Sequence, residues 1–295
     1  MLDSLQFINT EYPWFFQVFA FIFGAIVGSF LNVCIHRIPA GKSIITPGST
    51  CACGQPIAWY DNIPILSWFI LRGRARCCGQ PYSFRYPAIE FLTGCLFFLA
   101  WYQHPPAKAV CLMIFVSMLI CGSFIDFDHM EIPDRFSIGL AFVGFALSVI
   151  FPTLHSLDLK LYAPASVQAG FQSMVGILIG SSVILWIGIL ADKVLKKEAL
   201  GFGDVKLLGG IGAFLGWQGA IFSIFGGAAI GTVGILFFVV FKKLFSRKSN
   251  ESDDGLLGRQ IPFGPMLSAG AVLYALFLEN AVDRYFDQIS FLFRQ

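Results

Sequence analysis

The sequence predicts an all-α integral membrane protein with about eight transmembrane helices and a small cytoplasmic loop domain between the first two. Three observations favour this fold class. Hydrophobic residues make up 56% of the 295 residues and charged residues only 13%, about half the charged fraction of an ordinary soluble domain. Long apolar runs recur along the chain, and Lys and Arg are concentrated on one side of them. The net charge of +2 is too small to indicate nucleic-acid binding, so no nucleic acid is expected as a partner.

The predicted crossings are apolar runs of roughly the length needed to span a hydrocarbon core of about 30 Å, which takes about 17 to 25 helical residues. One Gly-rich run is too long for a single crossing, and the turn signal at Gly216–Gly219 divides it into two. The runs are Trp14–Ile35, Ala88–Trp101, Ala107–Ile125, Phe136–Phe151, Phe171–Leu190, the two halves of Val205–Phe241, and Pro262–Leu278. Small-residue pairs such as Gly212 with Gly216 and Gly227 with Gly231 predict close packing between helices.

The distribution of basic residues predicts the orientation in the membrane. The segment before the first run carries Asp3 and Glu11 but no Lys or Arg, unlike a secretory signal peptide, so the first helix is expected to stay attached. Eight crossings place both termini on the same side. With the termini outside, all but four of the 20 basic residues lie in cytoplasmic segments, the exceptions being Lys108, Lys160, Arg284 and Arg294. The positive-inside rule therefore predicts that both termini are non-cytoplasmic.

The polar segments complete the domain organisation. Residues 36–86 contain Pro and Gly breaks and four thiols, which indicates a small cytoplasmic domain. Residues 246–260 have almost nothing apolar to bury, so they are predicted to be a mobile linker. The predicted parts are a first transmembrane helix at 1–35, the thiol-bearing loop domain at 36–86, membrane helices carrying two carboxylates at 87–241, a cytoplasmic linker at 242–261, and a last transmembrane helix with its tail at 262–295.

Two carboxylates at the ends of apolar helices are the first candidates for function, because ionisable groups at membrane depth are costly. Asp126 ends the third run within IDFDHMEIPD, and Asp204 opens the sixth within GFGDVKLLGG. The predicted topology places both at the cytoplasmic face, on helices that run in opposite directions. We therefore expect the two side chains to be able to meet.

A pair of carboxylates in one site can carry out aspartyl proteolysis. Both cannot ionise cheaply, so the pair holds one proton between them. The ionised member takes a proton from the water that attacks a peptide carbonyl, and the protonated member donates to the developing oxyanion. Because Gly201 and Gly203 have no Cβ, an extended substrate backbone can come close to Asp204, and both glycines are predicted to bind substrate.

Structural alternatives exist for each acidic residue. Asp204 can equally cap a helix that begins at Val205. Asp134 is interpreted as a cap or turn residue. Asp128 is only two residues from Asp126 and cannot share a helix face with it.

Six segments stand out in order along the chain: Gly28–Pro39, Asp61–Trp68, Arg85–Leu92, Ile125–Asp134, Gly201–Gly210 and Ile261–Leu267. Their order resembles that of the bacterial type IV prepilin peptidases. The glycine-flanked GxGD element alone also occurs in presenilin-like and preflagellin peptidases, so the co-linear set carries the resemblance. It implies that Asp126 and Asp204 are catalytic.

The resemblance also implies a substrate, a cofactor and a location. Members of the family cut the basic leader from prepilins or type II secretion pseudopilins at the cytoplasmic face, just after a Gly. Many then methylate the new N-terminus with S-adenosyl-L-methionine, an activity linked to the first cytoplasmic loop. We therefore expect a multi-pass protein of the bacterial inner membrane, surrounded by lipid, with both termini periplasmic. No Rossmann-type glycine fingerprint follows a strand, so methylation is implied by the resemblance alone.

Four thiols in the first loop are candidate zinc ligands: Cys51, Cys53, Cys77 and Cys78. Relatives that keep a tetracysteine usually have two C-x-x-C pairs, which suits tetrahedral metal binding. Here the first pair is one residue short, and Ala75 stands where the leading Cys of the second is expected. A cytoplasmic location argues against structural disulfides, which favours zinc. The alternative is a decayed site with inert thiols.

Two further functions remain open. One is a leader peptidase without methyltransferase activity, as in preflagellin peptidases, although the large first loop favours the bifunctional enzyme. The other is a transporter that uses Asp126 and Asp204 as a proton relay. Transporters often have repeated halves and sites at the midplane, whereas this sequence shows no internal repeat and both Asp residues are expected at one face.

Overall fold

The computed structural model describes residues 11–157, 161–196, 200–245 and 262–292. Most of these residues are helical and none forms a strand, which confirms the all-α prediction for the described part of the chain. Short 3₁₀ turns lie at Trp59–Asn62 and Pro152–His155, and a π-helical turn at Tyr274–Leu278. The α-helices are α1 (Pro13–Arg37), α2 (Leu66–Ile70), α3 (Arg85–Gln103), α4 (Pro106–His129), α5 (Asp134–Ile150), α6 (Tyr162–Leu195), α7 (Phe202–Phe245), α8 (Gly264–Leu273) and α9 (Glu279–Leu292).

Several helices are long and apolar enough to cross a membrane, so the chain is a membrane protein. Within the described ranges there are five such spans: Trp14–Arg37, Pro106–His129, Tyr162–Val194, Phe202–Phe237 and Gly264–Phe286. Helices α3 and α5 cover two more of the predicted crossings but are not among these five. The count of eight crossings therefore stays a prediction.

Helix α7 is broken at Gly216, within the turn signal that the sequence contains. Gly216 has a φ of 71° and a ψ of −177°, and the helix resumes beyond it. A side chain at this φ would be strained, so glycine suits the break. The break falls within the predicted turn signal, but Phe202–Phe237 counts as one candidate span, so its division into two crossings stays a prediction.

Two compact units make up the chain, Met1–Cys121 and Gly122–Gln295, with the boundary inside α4. In the first unit, α1 packs closely on α3. A Cβ on Gly24 would lie 2.8 Å from the carbonyl oxygen of Thr93, and one on Gly28 would lie 2.7 Å from Cα of Glu90. Only glycine permits this approach of the two helices.

The second unit is built around α7, which packs against α5, α6 and α8. The backbones of Gly176 on α6 and Gly212 on α7 touch, so neither position has room for a side chain. Gly227 lies against α8, where a Cβ would be 2.7 Å from the carbonyl oxygen of Met266. The close packing predicted for Gly212 and Gly227 is confirmed. The first turn of the same helix carries Asp204.

Part of the predicted organisation lies outside the described residues. The predicted linker at 242–261 falls there from residue 246 onward. The ends of the chain, residues 1–10 and 293–295, fall there too.

Candidate functional site

Asp126 and Asp204 are brought together in the second unit. Among the acidic residues that the structure describes, they and Glu90 are the buried ones, with Asp126 6% exposed and Asp204 8% exposed. Glu90 belongs to the first unit, where it accepts a hydrogen bond of 2.7 Å from the backbone N–H of Ile65. The carboxyls of Asp126 and Asp204 are near enough to interact electrostatically. Two carboxyl groups thus share one buried site, as the sequence predicted.

The last turn of α4 presents Asp126. The backbone N–H of Met130 donates to the carbonyl oxygen of Asp126 at 2.8 Å, and Met130 has a φ of 56°. This left-handed residue closes the helix directly after the turn that carries the carboxyl group. Ile132 and Pro133 then lead into α5, with Pro133 at its N-cap position.

The first turn of α7 presents Asp204. The helix begins at Phe202 and not at Val205, so Asp204 lies inside the first turn and is not the N-cap residue. Its backbone N–H donates to the carbonyl oxygen of Gly201 at 3.1 Å, while its carboxylate accepts a hydrogen bond from the backbone N–H of Gly201. An acidic residue at the third helical position does this in a capping box. Asp204 therefore takes part in a capping box and is not the N-cap residue itself. The hydrogen bond from Gly201 orients its carboxyl group.

A third segment reaches the pair at the start of α8. The backbone N–H of Gly264 donates a hydrogen bond to the Asp126 carboxylate. A Cβ built on Gly264 would lie 2.6 Å from Oδ2 of Asp126 and 2.9 Å from Cδ1 of Ile132. The buried Ile132 side chain also faces Gly203, where a Cβ would lie 3.5 Å from Cβ of Ile132. The ends of α4, α7 and α8 thus meet around Asp126 and Ile132.

The two glycines predicted to bind substrate have different surroundings. Gly201 is exposed, and a Cβ there would lie 3.6 Å from Oδ2 of Asp204. Gly203 is half-buried and faces Ile132. Gly201 therefore borders the carboxyl group from the exposed side, whereas Gly203 packs inward.

Other acidic residues of the IDFDHMEIPD segment lie at the surface. Asp128 is exposed, and so is Asp134. Asp134 is interpreted from the sequence as a cap or turn residue, but Pro133 takes the N-cap position without a side-chain capping hydrogen bond, and Asp134 is the first residue of α5. Asp134 also forms an ion pair of 2.7 Å with Lys206, whose ammonium group lies 5.3 Å from the ring centre of Phe202. No sequence pattern indicates this ion pair, because 72 positions separate Asp134 and Lys206.

The structure also brings the four loop thiols together. Their sulfur atoms all lie within 4.8 Å of one another, with Cys51 and Cys78 3.5 Å apart and Cys53 and Cys77 3.4 Å apart. A tetrahedral site with Zn–S bonds of about 2.3 Å places its sulfurs roughly 3.8 Å apart. The donor set therefore fits zinc, despite the irregular spacing of the cysteines.

Two tight turns bring the thiols into this arrangement. In the first, the N–H of Cys51 donates to Gln55 at 2.8 Å, and Gly54 has a φ of 84°. In the second, the N–H of Ala75 donates to Gln80 at 2.9 Å, and Gly79 has a φ of 69°. The backbone N–H of Ala75 thus closes the second turn.

Hydrogen bonding differentiates the thiols. A hydrogen bond from the backbone of Cys53, together with bonds from Cys77 and Cys78, lowers the pKa of Cys51 to about 7. Hydrogen bonds with Cys51 and Cys53 raise the pKa of Cys77 to about 12. The thiolate is the form that binds metals, so Cys51 is the thiol most readily available as a ligand near neutral pH.

An ion pair supports the second thiol turn. Arg76 donates to both carboxylate oxygens of Asp61 at 2.8 to 3.0 Å and lies 5.7 Å from the ring centre of Tyr60. Hydrogen bonding to Arg76 holds the pKa of Asp61 below its usual value. Because Arg76 directly precedes Cys77, the pair ties the thiol turn to the 3₁₀ turn at Trp59–Asn62.

Two family models match the chain. The bacterial peptidase A24 N-terminal domain matches residues 22–104, which include the four thiols. The type IV leader peptidase family matches residues 113–236, which include Asp126 and Asp204. The two carboxyl groups and the thiol cluster thus fall in separately matched regions.

Several curated relatives resemble the chain over most of its length. The prepilin leader peptidase/N-methyltransferase of Myxococcus xanthus is 37% identical over 81% of this chain and 68% of its own length. The protein of the same name from Klebsiella pneumoniae is 39% identical over 70% of this chain and 89% of its own length. The type 4 prepilin-like proteins leader peptide-processing enzyme of Escherichia coli O78:H11 is 33% identical, over 90% and 97% respectively. No solved structure matches the chain significantly.

Proposed function

The chain belongs to the type IV leader peptidase family, and from this membership we propose that it cleaves the basic leader from type IV prepilins or type II secretion pseudopilins by aspartyl proteolysis. Asp126 and Asp204 form the catalytic pair. The observation that carries this assignment is the meeting of their two buried carboxyl groups at the ends of α4 and α7.

The mechanism uses one proton shared by the two carboxyl groups. The ionised carboxylate takes a proton from water as the water oxygen attacks the scissile peptide carbonyl. The protonated carboxyl donates to the oxyanion of the tetrahedral intermediate. As the C–N bond breaks, the protonated carboxyl group gives its proton to the leaving amine nitrogen. The other carboxylate takes the proton of one hydroxyl of the tetrahedral intermediate, which becomes a carboxylic acid, so the pair returns to its singly protonated state. Burial strengthens each of these interactions, because charge is screened less in a low-dielectric site than in water.

The backbone around the pair supports this chemistry. One backbone N–H is directed at each carboxylate, from Gly264 to Asp126 and from Gly201 to Asp204. The two groups are therefore oriented before substrate arrives. The exposed position of Gly201 supports its role as a substrate contact, since a side chain there would lie beside Oδ2 of Asp204. We propose that the extended substrate backbone also contacts Gly203, although Gly203 packs inward on Ile132.

The location follows from the charge distribution. We place the enzyme in a bacterial inner membrane with both termini periplasmic and with Asp126 and Asp204 at the cytoplasmic face. The basic residues near these two positions support this orientation, since Arg135 lies in the first turn of α5 and Lys206 in the second turn of α7.

A second activity, methylation of the new N-terminus, is proposed because the relatives in Myxococcus xanthus and Klebsiella pneumoniae are named as N-methyltransferases. S-adenosyl-L-methionine is the proposed donor of the methyl group. No residue is assigned to this step. Zinc is the proposed occupant of the site formed by Cys51, Cys53, Cys77 and Cys78, where it would hold the two thiol turns together.

One experiment tests both activities. Purified protein is incubated with a peptide that has a basic leader, a Gly at the cleavage site and an apolar segment after it, with and without S-adenosyl-L-methionine. Mass spectrometry should show cleavage after the Gly in both samples and methylation of the new amine only with the donor. An intact peptide contradicts the peptidase assignment. A cleaved but unmethylated product favours a leader peptidase that lacks the second activity.

A peptide supplied already cleaved separates the two activities. Asp126→Asn and Asp204→Asn proteins should still methylate it, because the pair serves only hydrolysis. If both variants lose methylation while remaining folded, the two activities share a site.

A further inference from the structure

The first residue of α8 lies directly against the catalytic pair. Gly264 begins the helix, and its backbone N–H is bonded to the Asp126 carboxylate. Gly264 is itself buried. The position therefore contributes to the site through its backbone alone.

The space beside Gly264 leaves no room for any side chain. An added Cβ would lie 2.6 Å from Oδ2 of Asp126 and 2.9 Å from Cδ1 of Ile132. Both separations are shorter than ordinary van der Waals contact of a carbon atom with either atom. The Ile132 side chain is itself buried, so it has little freedom to move away. An added methyl group would consequently displace the Asp126 carboxyl group.

We propose that Gly264 is a positioning residue of the active site, whose backbone N–H orients the Asp126 carboxylate and whose missing side chain lets the start of α8 reach it. This inference rests on the proposed catalytic role of Asp126. The start of α8 is then a third helix end at the site, beside the ends of α4 and α7. The N-terminus of α8 also places its partial positive charge beside a carboxyl group that lies at the C-terminal end of α4.

A matched control is available on the same helix. A Cβ on Gly270 would lie 2.7 Å from both the backbone nitrogen of Gly227 and the carbonyl oxygen of Ser223. Gly270 is thus as tightly packed as Gly264, but its contacts are with the body of α7 and not with Asp126. Gly264→Ala and Gly270→Ala therefore introduce the same methyl group, and only the first introduces it at the carboxyl group.

A double variant separates the two contacts of Gly264. Val lacks the Cδ1 atom of Ile, so Ile132→Val removes the contact with the side chain at 132 and leaves the one with Oδ2 of Asp126. The Gly264→Ala/Ile132→Val protein therefore tests whether the methyl group acts through Asp126 or through packing.

The test measures kcat, KM and thermal stability for cleavage of the leader peptide, with kcat expressed per folded molecule. Gly264→Ala should lower kcat about 100-fold with little change in KM, since a displacement of about 1 Å at a reacting group costs about that factor. The double variant should remain as slow. Gly270→Ala should melt at a lower temperature and keep the wild-type kcat.

Two results would overturn the inference alone: a Gly264→Ala protein with wild-type kcat, or a double variant in which kcat recovers. If Gly264→Ala lowers the melting temperature and leaves kcat per folded molecule unchanged, Gly264 serves packing only. A wild-type protein that leaves the peptide intact overturns the proposed function and this inference together.

Discussion

Lys206 forms an ion pair with Asp134, with Nζ of the lysine 2.7 Å from Oδ1 of the aspartate. The pair joins the second turn of α7 to the first turn of α5, and each partner lies two residues from a residue of the candidate site. Asp204 precedes Lys206, and Ile132 precedes Asp134. The two segments that border the carboxyl groups are thus linked at the surface as well as in the interior.

A double-mutant cycle tests this link. Lys206→Met and Asp134→Asn should each lower kcat by a small factor, and the double variant should be no slower than the slower single one. The coupling in stability should be about 0.2 to 1 kcal/mol, because the Asp134 side chain is 63% exposed and solvent screens the pair. The coupling should shrink as the salt concentration rises. Independent effects on kcat would show that the pair does not connect the two segments.

The thiol cluster should hold about one zinc ion per chain in protein purified without chelator. Changing Cys51 and Cys78 together to Ser should remove the metal, whereas Cys95→Ser, which alters a thiol on α3 outside the cluster, should retain it. Zinc binding should weaken as the pH falls through about 7, because the lowered pKa of Cys51 keeps its thiolate available above that pH and protonation removes it below. Metal analysis that finds no zinc in the wild-type protein favours a decayed site.

The orientation in the membrane can be measured by labelling. Tags at either terminus should be accessible from the periplasm, while single cysteines introduced at Lys42 and Lys248 should react only from the cytoplasm. Lys248 lies outside the described residues, so this experiment reaches a part of the chain that the structure leaves open. Labelling of Lys248 from outside would contradict the topology and the cytoplasmic placement of the active site.

The sequence predicted the parts of the site that side chains and apolar runs define. Asp126 and Asp204 lie at the ends of long hydrophobic segments. Burying a carboxyl group there costs free energy, so such residues are candidates for function. Helix α7 begins at Phe202, three residues before Val205, where the apolar run in the sequence begins. Gly203 is in fact in the first turn of the helix.

The contribution of Gly264 could not be predicted in this way. The segment around it was one of those that match the family, but a glycine that donates its backbone N–H leaves no chemical signal in the sequence. Its partner lies 138 residues earlier in the chain, so the contact depends entirely on how the helices pack. For the thiols, the irregular spacing in the sequence argued against a metal site. The two turns nonetheless bring the four sulfur atoms together.

The catalytic pair is tested by replacing each aspartate with asparagine. Asn keeps the size of the side chain but can neither accept the proton of water nor share one, so Asp126→Asn and Asp204→Asn should each abolish cleavage of the leader. The fold should survive, since the amide oxygen of Asn can still accept the backbone N–H at either position. Asp128→Asn is the control, because Asp128 is exposed and outside the pair.

The most direct measurement is the rate of leader cleavage by the wild-type protein, the three single variants and the Asp126→Asn/Asp204→Asn double variant, each shown to be folded. Residues that act as a unit are not additive, so the double variant should be little slower than either dyad variant alone, and Asp128→Asn should keep at least part of the activity. A folded Asp126→Asn or Asp204→Asn protein that cleaves at the wild-type rate, or an Asp128→Asn protein as inactive as Asp126→Asn, would contradict the assignment of the pair.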